Sequence, residues 1–313
     1  MARFAVRAPL RLLTSGLYLS SFRPSNLQPP SLHSTYQRAM SSSTFKLDPS
    51  IFNRTLYKRV TELWFPGVDT SGQKLDMSVA KRWFMGTPEE KLAFDSQCRT
   101  AFAHALESIG PDKFPEANAQ PFLNEIQRVA DEEEAERESE GKESGEEAAW
   151  TALSLTLLID QIPRNIYRTE DGLRLVYTHY DRIGYSLARS ILSPSSLLPR
   201  PDTHPVFRFS AAHRIWFYMP LMHSEDLAAH NLAGEIVDGY AKEIENLGGY
   251  NGTKIILRKH RDALSEHTDI LERFGRYPHR NDALGRESTD NERRFMEEGG
   301  ATFGVGQKKD NKA

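Results

Sequence analysis

From Phe52 to Phe274 the apolar residues of this 313-residue chain recur at three- and four-residue spacing, and no segment sustains the period-two alternation of a strand. That pattern admits an all-α fold with little or no sheet. Phe52, Leu56, Val60, Leu63 and Trp64 form the first stripe; Asp48-Pro49 reads as its N-cap and first helical residue, and Pro66-Gly67 stops it. Thr87-Pro88-Glu89-Glu90 is a capping box with proline in the first turn, leading into Leu92, Cys98, Phe102 and Leu106 and closed by Gly110-Pro111. A short helix from Met77 to Phe84 is expected before it. Further helical patterns run from about Pro121 into an acidic stretch, then over 148–162, 172–192, 208–218, 224–246, 254–274 and 291–298. About ten helices joined by short Pro/Gly turns suit stacked antiparallel hairpins. The stretch 148–162 is apolar on nearly every side, through Trp150, Leu153, Leu155, Leu157, Leu158 and Ile159, which marks it as the buried centre.

The first acidic residue is Asp48, and Arg3, Arg7, Arg11, Arg23 and Arg38 precede it among serines, leucines and prolines, the composition of a mitochondrial transit peptide over 1–40. Pro9 would break a helix through Arg3, Arg7 and Arg11, whereas a helix starting at Pro9 puts Leu10, Leu13 and Leu17 on one side. Arg38-Ala39-Met40 reads as a processing site, and Met40 offers the start of a shorter cytosolic form. The expected destination is the mitochondrial matrix. A single cysteine, Cys98, suits a reducing compartment and reads as packing. The longest apolar stretch, near 153–159, falls far short of the roughly 20 residues a membrane span needs. Without residues 1–40 the chain carries 35 basic against 43 acidic residues, a charge of −8. Residues 131–147 hold ten acids against Arg137 and Lys142, so the remainder is about neutral and shows no basic footprint for nucleic acid. The acidic stretch reads as a solvated helix end and surface insertion in one helical domain over 48–298, followed by a disordered tail over 299–313.

Three segments carry candidate chemistry. Asp160-Gln161-Ile162-Pro163-Arg164-Asn165 ends the apolar helix, and a carboxylate there faces the negative end of the helix dipole, so Asp160 needs a cation, with Arg164 nearest and Arg276 or Arg280 as alternatives. A buried ion pair pinning the helix end and a polar pocket account for it equally. In Pro220-Leu221-Met222-His223-Ser224-Glu225-Asp226, Ser224 reads as an N-cap with Glu225 and Asp226 in the favoured first turn. No cofactor or metal is assigned; the alternative is a two-His, one-carboxylate set of His223, Asp226 and His230. His267 shares a face with Leu264, Leu271 and Phe274, the place of a hydrogen-bonded core histidine, and Gly275 reads as a helix-ending residue. Arg276, His279 and Arg280 then lie on one turn that could hold an anion or answer Asp160, Glu225 and Asp226.

Trp64-Phe65, Trp83-Phe84, the Asp160–Asn165 motif, Pro220 with His223–Asp226, and Arg273-Phe274-Gly275-Arg276-Tyr277-Pro278-His279-Arg280-Asn281 together resemble the domain of unknown function family 924, over about Phe52 to Met296. The resemblance implies an all-helical fold similar to tetratricopeptide repeats and no established activity. At His230 the family usually has glutamine, which weakens the metal alternative, and 131–147 looks like an insertion relative to shorter bacterial members. Two functions are expected from this. One is a protein- or peptide-binding module. The alternative is an enzyme or small-ligand binder whose Asp160, Arg164, His223, Glu225, Asp226, His267, Arg276, His279 and Arg280 take an anionic metabolite.

Overall fold

The first helix starts later than its stripe suggests, because Asp48 is engaged elsewhere. Its carboxylate accepts from the Ser50 backbone N–H and hydroxyl, closing a turn in which the Phe52 N–H reaches the Asp48 carbonyl. Asn53 then caps α1 (Arg54–Trp64), accepting from the Thr55 and Leu56 N–H groups. The computed structural model describes residues 45–74, 81–140, 145–196 and 198–303. Both the leader and the first half of the expected 77–84 helix lie outside these. Of the latter, Lys81–Met85 forms a single π turn. The capping box predicted at Thr87 is present, with both reciprocal bonds, at the start of α2 (Pro88–Ser108).

The acidic stretch is only partly a surface feature. In α3 (Gln120–Glu140) Glu133 is 9% exposed, and its two oxygens accept from the backbone N–H groups of Glu147 and Ala148. It thereby caps α4 (Glu146–Thr156), which begins at Gly145 with no cap of its own. The apolar helix is the centre of the fold, as expected: every residue from Ala148 to Asp160 except Trp150 is buried, and α4 packs against α1 and α3.

It does not end at Ile162. Helical backbone continues through a π turn (Leu157–Gln161) into α5 (Ile162–Ile166). Pro163 explains the widened turn. It has no N–H to donate, and its ring would clash with the carbonyl four residues back in a regular helix. The π turn opens that ladder, and the Ile162 N–H reaches back five residues to the Leu157 carbonyl. A third π turn (Val176–Tyr180) joins α6 (Glu170–Leu175) to α7 (Asp181–Ile191).

After a short 3₁₀ turn (Pro201–Thr203), α8 (Ala211–Met222), α9 (Leu227–Glu245) and α10 (Asn251–Phe274) follow, with α8 against α7, α9 and α10. The cap of α9 is Asp226 and not Ser224. Its side chain accepts from the Ala228 N–H, and the Ser224 hydroxyl donates back to the Leu221 carbonyl. Glu225 is therefore outside the helix and free to turn away from it. Gly275 closes α10 in the left-handed conformation (φ 70°), where only glycine is unstrained. A 3₁₀ turn (Pro278–Arg280), α11 (Asn281–Leu284) and α12 (Asp290–Glu297), with its capping box at Thr289, complete the element order. The tail does not begin at Gly299: Ala301 and Phe303 pack on Ile270, Leu271 and Tyr277. Residues 304–313 of it lie outside the described residues. No strand occurs among the described residues, and no helix among them is long and apolar enough to cross a membrane.

Candidate functional site

Asp160 sits on the π turn, 1% exposed, where the carboxylate would be costly without partners. It has three. The Nδ1 of His223, just past the end of α8, lies 2.8 Å from Oδ1; the Gln161 amide donates to Oδ2 at 2.6 Å; and the Arg164 guanidinium stands 3.6 Å away. Burial pushes the Asp160 carboxyl up, but the charges of His223 and Arg164 and the bonds from His223 and Gln161 hold it below its ordinary value. Burial and the Arg164 charge push His223 down, against the attraction of Asp160. The arrangement favours a neutral imidazole that donates through Nδ1 to an ionised carboxylate, which leaves the Nε2 lone pair as an acceptor. Nε2 has no partner among the described residues.

A second carboxylate, Asp181, extends the array. Arg164 donates to its Oδ1 at 2.6 Å, Arg280 approaches Oδ2 at 3.5 Å, and Arg280 also donates to the His223 carbonyl at 2.8 Å. The Arg280 guanidinium lies over the Tyr177 and Tyr277 rings, 4.4 and 4.7 Å from their centroids.

Arg164, His223, His267, His279 and Arg280 line a cavity of about 290 Å³. The three π turns all feed its wall, through Arg82, Trp83 and Phe84, through Gln161, and through Tyr177. Trp64, Lys91, Phe94, Asn165, Arg168, Met219, Tyr277 and Phe303 complete the lining. No lining residue is acidic. The carboxylates stand behind the wall, Asp160 and Asp181 behind Arg164 and Arg280, and Asp95 behind Arg168. Arg82 and Lys91 have no carboxylate partner among the described residues. Burial pushes His267 down to about 3, and burial followed by the Arg280 charge does the same to His279, so both rings are neutral near pH 7. The Nδ1 of His267 bonds to the Ala263 carbonyl, as a core histidine would, yet its ring faces the cavity edge, where Phe303 stacks on it at 3.6 Å.

The structure sends the other expected residues elsewhere. Glu225 takes a two-pronged ion pair from Arg286 and accepts from the Tyr277 N–H at 2.9 Å. Asp226 caps α9 and accepts from Tyr185. Arg276 pairs with Glu292, not with the site. The His223, Asp226 and His230 set does not assemble: His223 is turned to Asp160, and His230 spends Nδ1 on Thr268 and Nε2 on the Ser224 carbonyl. Among the described residues no group of three or more His, Cys, Asp or Glu could hold a metal ion.

Eight buried side-chain polar atoms lack a hydrogen-bond partner among the described residues, and four belong to residues lining this one cavity: Trp64 Nε1, Arg164 Nε, His279 Nδ1 and Arg280 Nε. Comparison with known proteins agrees with the motifs. The family described as "Bacterial protein of unknown function (DUF924)" matches residues 60–300. The chain belongs to this family. The solved structure of a protein of unknown function, ATU0120 from Agrobacterium tumefaciens, is 26% identical, with a TM-score of 0.46, over 80% of this chain and 100% of that one. No curated protein matches. In this DUF924 chain each of the resembling motifs contributes to the one cavity, through Trp64, Trp83, Asn165, His223 and Tyr277 among others.

Proposed function

We propose that the cavity binds a small organic anion, with the Asp160–His223 pair as a general base beside it. The unpartnered donors carry this reading. Each buried donor left without an acceptor costs about 1–3 kcal/mol, and three such N–H donors belong to residues lining one cavity whose only charged lining groups are cationic, a setting that a ligand bringing acceptors would satisfy. At Nε2 the His223 imidazole would take a proton from a hydroxyl or a water, and Asp160 would stabilise the resulting imidazolium as well as hold the ring's tautomer. Arg164 and Arg280 would hold the anion against it.

A thermal-shift series with inorganic phosphate, citrate and benzoate tests the binding. At a hundredfold excess over Kd a bound anion should stabilise the fold by about 2.7 kcal/mol. Arg82→Gln, at an exposed position, and His279→Gln should each reduce the shift; no shift with any anion would overturn the reading. Protein or peptide binding is the second reading, favoured by Phe84, Met85 and Leu92, which are 56%, 56% and 67% exposed on one segment.

We also propose import into the mitochondrial matrix, supported by the five arginines that precede the first acid. N-terminal sequencing of protein recovered from the matrix should begin near Met40; a full-length product confined to the cytosol would refute it.

A further inference from the structure

The ring contacts around the cavity fall into two groups. Trp64, Trp83, Phe94 and Trp216 form one, with Trp64 5.6 Å from Phe94, 5.1 Å from Trp216, and Trp83 5.0 Å from Trp216. His267, Tyr277, His279 and Phe303 form the other. Polar side chains of the Asp160–Asn165 motif and His223 line the cavity with them. We infer that the anion bound here is aromatic: a single planar ring seated on the Trp64–Trp83–Phe94 wall, with its carboxylate or phosphate turned to Arg164 and Arg280. This rests on the anion-binding reading above and narrows it to a chemical class.

Three observations carry it. The volume, about 290 Å³, is at the lower end for ligand cavities and suits one ring with its substituents. Trp64, which lines the cavity, is 3% exposed, and its buried Nε1 has no partner among the described residues, so the aromatic wall holds an unsatisfied donor. An aliphatic acid would fill the space but leave the ring faces poorly matched. Arg82, 5.6 Å from the Phe94 centroid, and Lys91, neither paired with a carboxylate among the described residues, put positive charge beside the same wall, favouring an electron-rich ring.

Two of the chain's four tryptophans are in this wall and a third, Trp216, packs against both, so intrinsic fluorescence reports on it. The full chain is titrated with benzoate, phenyl phosphate, cyclohexanecarboxylate and inorganic phosphate, in wild type, Trp83→Leu and Trp83→Phe. Benzoate or phenyl phosphate should bind at least tenfold more tightly than cyclohexanecarboxylate, and whichever of the two is tighter tells carboxylate from phosphate. Trp83→Leu should bring aromatic and saturated acids to near parity, and Trp83→Phe should keep the preference. Should Trp83→Leu lose its helical circular dichroism, the Trp83→Phe and wild-type ratios alone decide. If saturated and aromatic acids bind equally in wild type, the aromatic inference falls while anion binding stands. If none of the four binds, both fall.

Discussion

Asp160 is a carboxylate whose tolerance of burial depends wholly on its neighbours, and its substitution separates packing from charge. Asp160→Ala leaves Arg164 with one carboxylate in place of two and strands the His223 Nδ1–H, the situation in which removing one partner of a buried pair costs about 3–5 kcal/mol. The urea midpoint should fall accordingly, and Asp160→Asn, which keeps the acceptor, should fall less. His223 supplies a sharper readout. A bound anion adds negative charge beside a ring now held below its ordinary value, so its titration, followed by nitrogen NMR, should move to higher pH on adding a ligand. A His223 titration indifferent to every anion that shifts the melting temperature would place the ligand elsewhere. Cys98, buried and with its thiol pushed up to about 12 by burial, has no part in this chemistry.

At the scale of elements, the cavity is assembled by turns that depart from the regular helix. Each π turn adds one residue to its helix, so a 3.6-residue phase carried across it is wrong by one residue, about 100° of rotation, on the far side. Pro163 makes Asp160 read as a helix-end residue in sequence, and the π turn that accommodates the proline leaves it mid-helix. The 3₁₀ turn Pro278–Arg280 is positioned by Glu225, which ties the Tyr277 N–H to Arg286 without entering the cavity. Glu225→Ala should release that turn and weaken anion binding by roughly tenfold, about 1.4 kcal/mol, while Asp226→Ala, which removes a helix cap and the acceptor of the Tyr185 hydroxyl, should cost about 1–2 kcal/mol of stability and little affinity. Equal affinities in wild type and Glu225→Ala would show that the turn holds its place alone.

Across the whole molecule the buried histidines act in one direction. Burial pushes His213 and His260 down to about 4 and His267 and His279 to about 3, below the ordinary value of 6.5. Between those values and 6.5 the unfolded chain binds protons that the folded chain refuses. Stability is therefore complete above about pH 6.5 and lost progressively as pH falls toward 4. Asp160, also depressed, has the same sign. Urea midpoints measured from pH 7.5 to 4.5 should decline steadily; a midpoint that holds flat to pH 4.5 would show that water reaches these rings.

The all-α class, the central helix, the capping box at Thr87 and the end of α10 at Gly275 were legible in the chain itself, because each follows from spacing or from a local hydrogen bond made within a few residues. Five of the nine expected site residues line the cavity for a similar reason: they sit in short motifs too polar for the apolar helices beside them. What the sequence could not decide was pairing at a distance. Whether Glu225 met Arg286 or Arg280, whether Arg276 found Glu292 or Asp160, and whether Glu133 was solvated or capped another helix depended on groups 14 to 116 positions apart, or on which of several equivalent charges came nearest. The aromatic wall, too, took form only when Trp64 met Phe94 and both Trp64 and Trp83 met Trp216. Local geometry is written in residue order; the partners of a buried charge are chosen by the packing that brings them within hydrogen-bond reach.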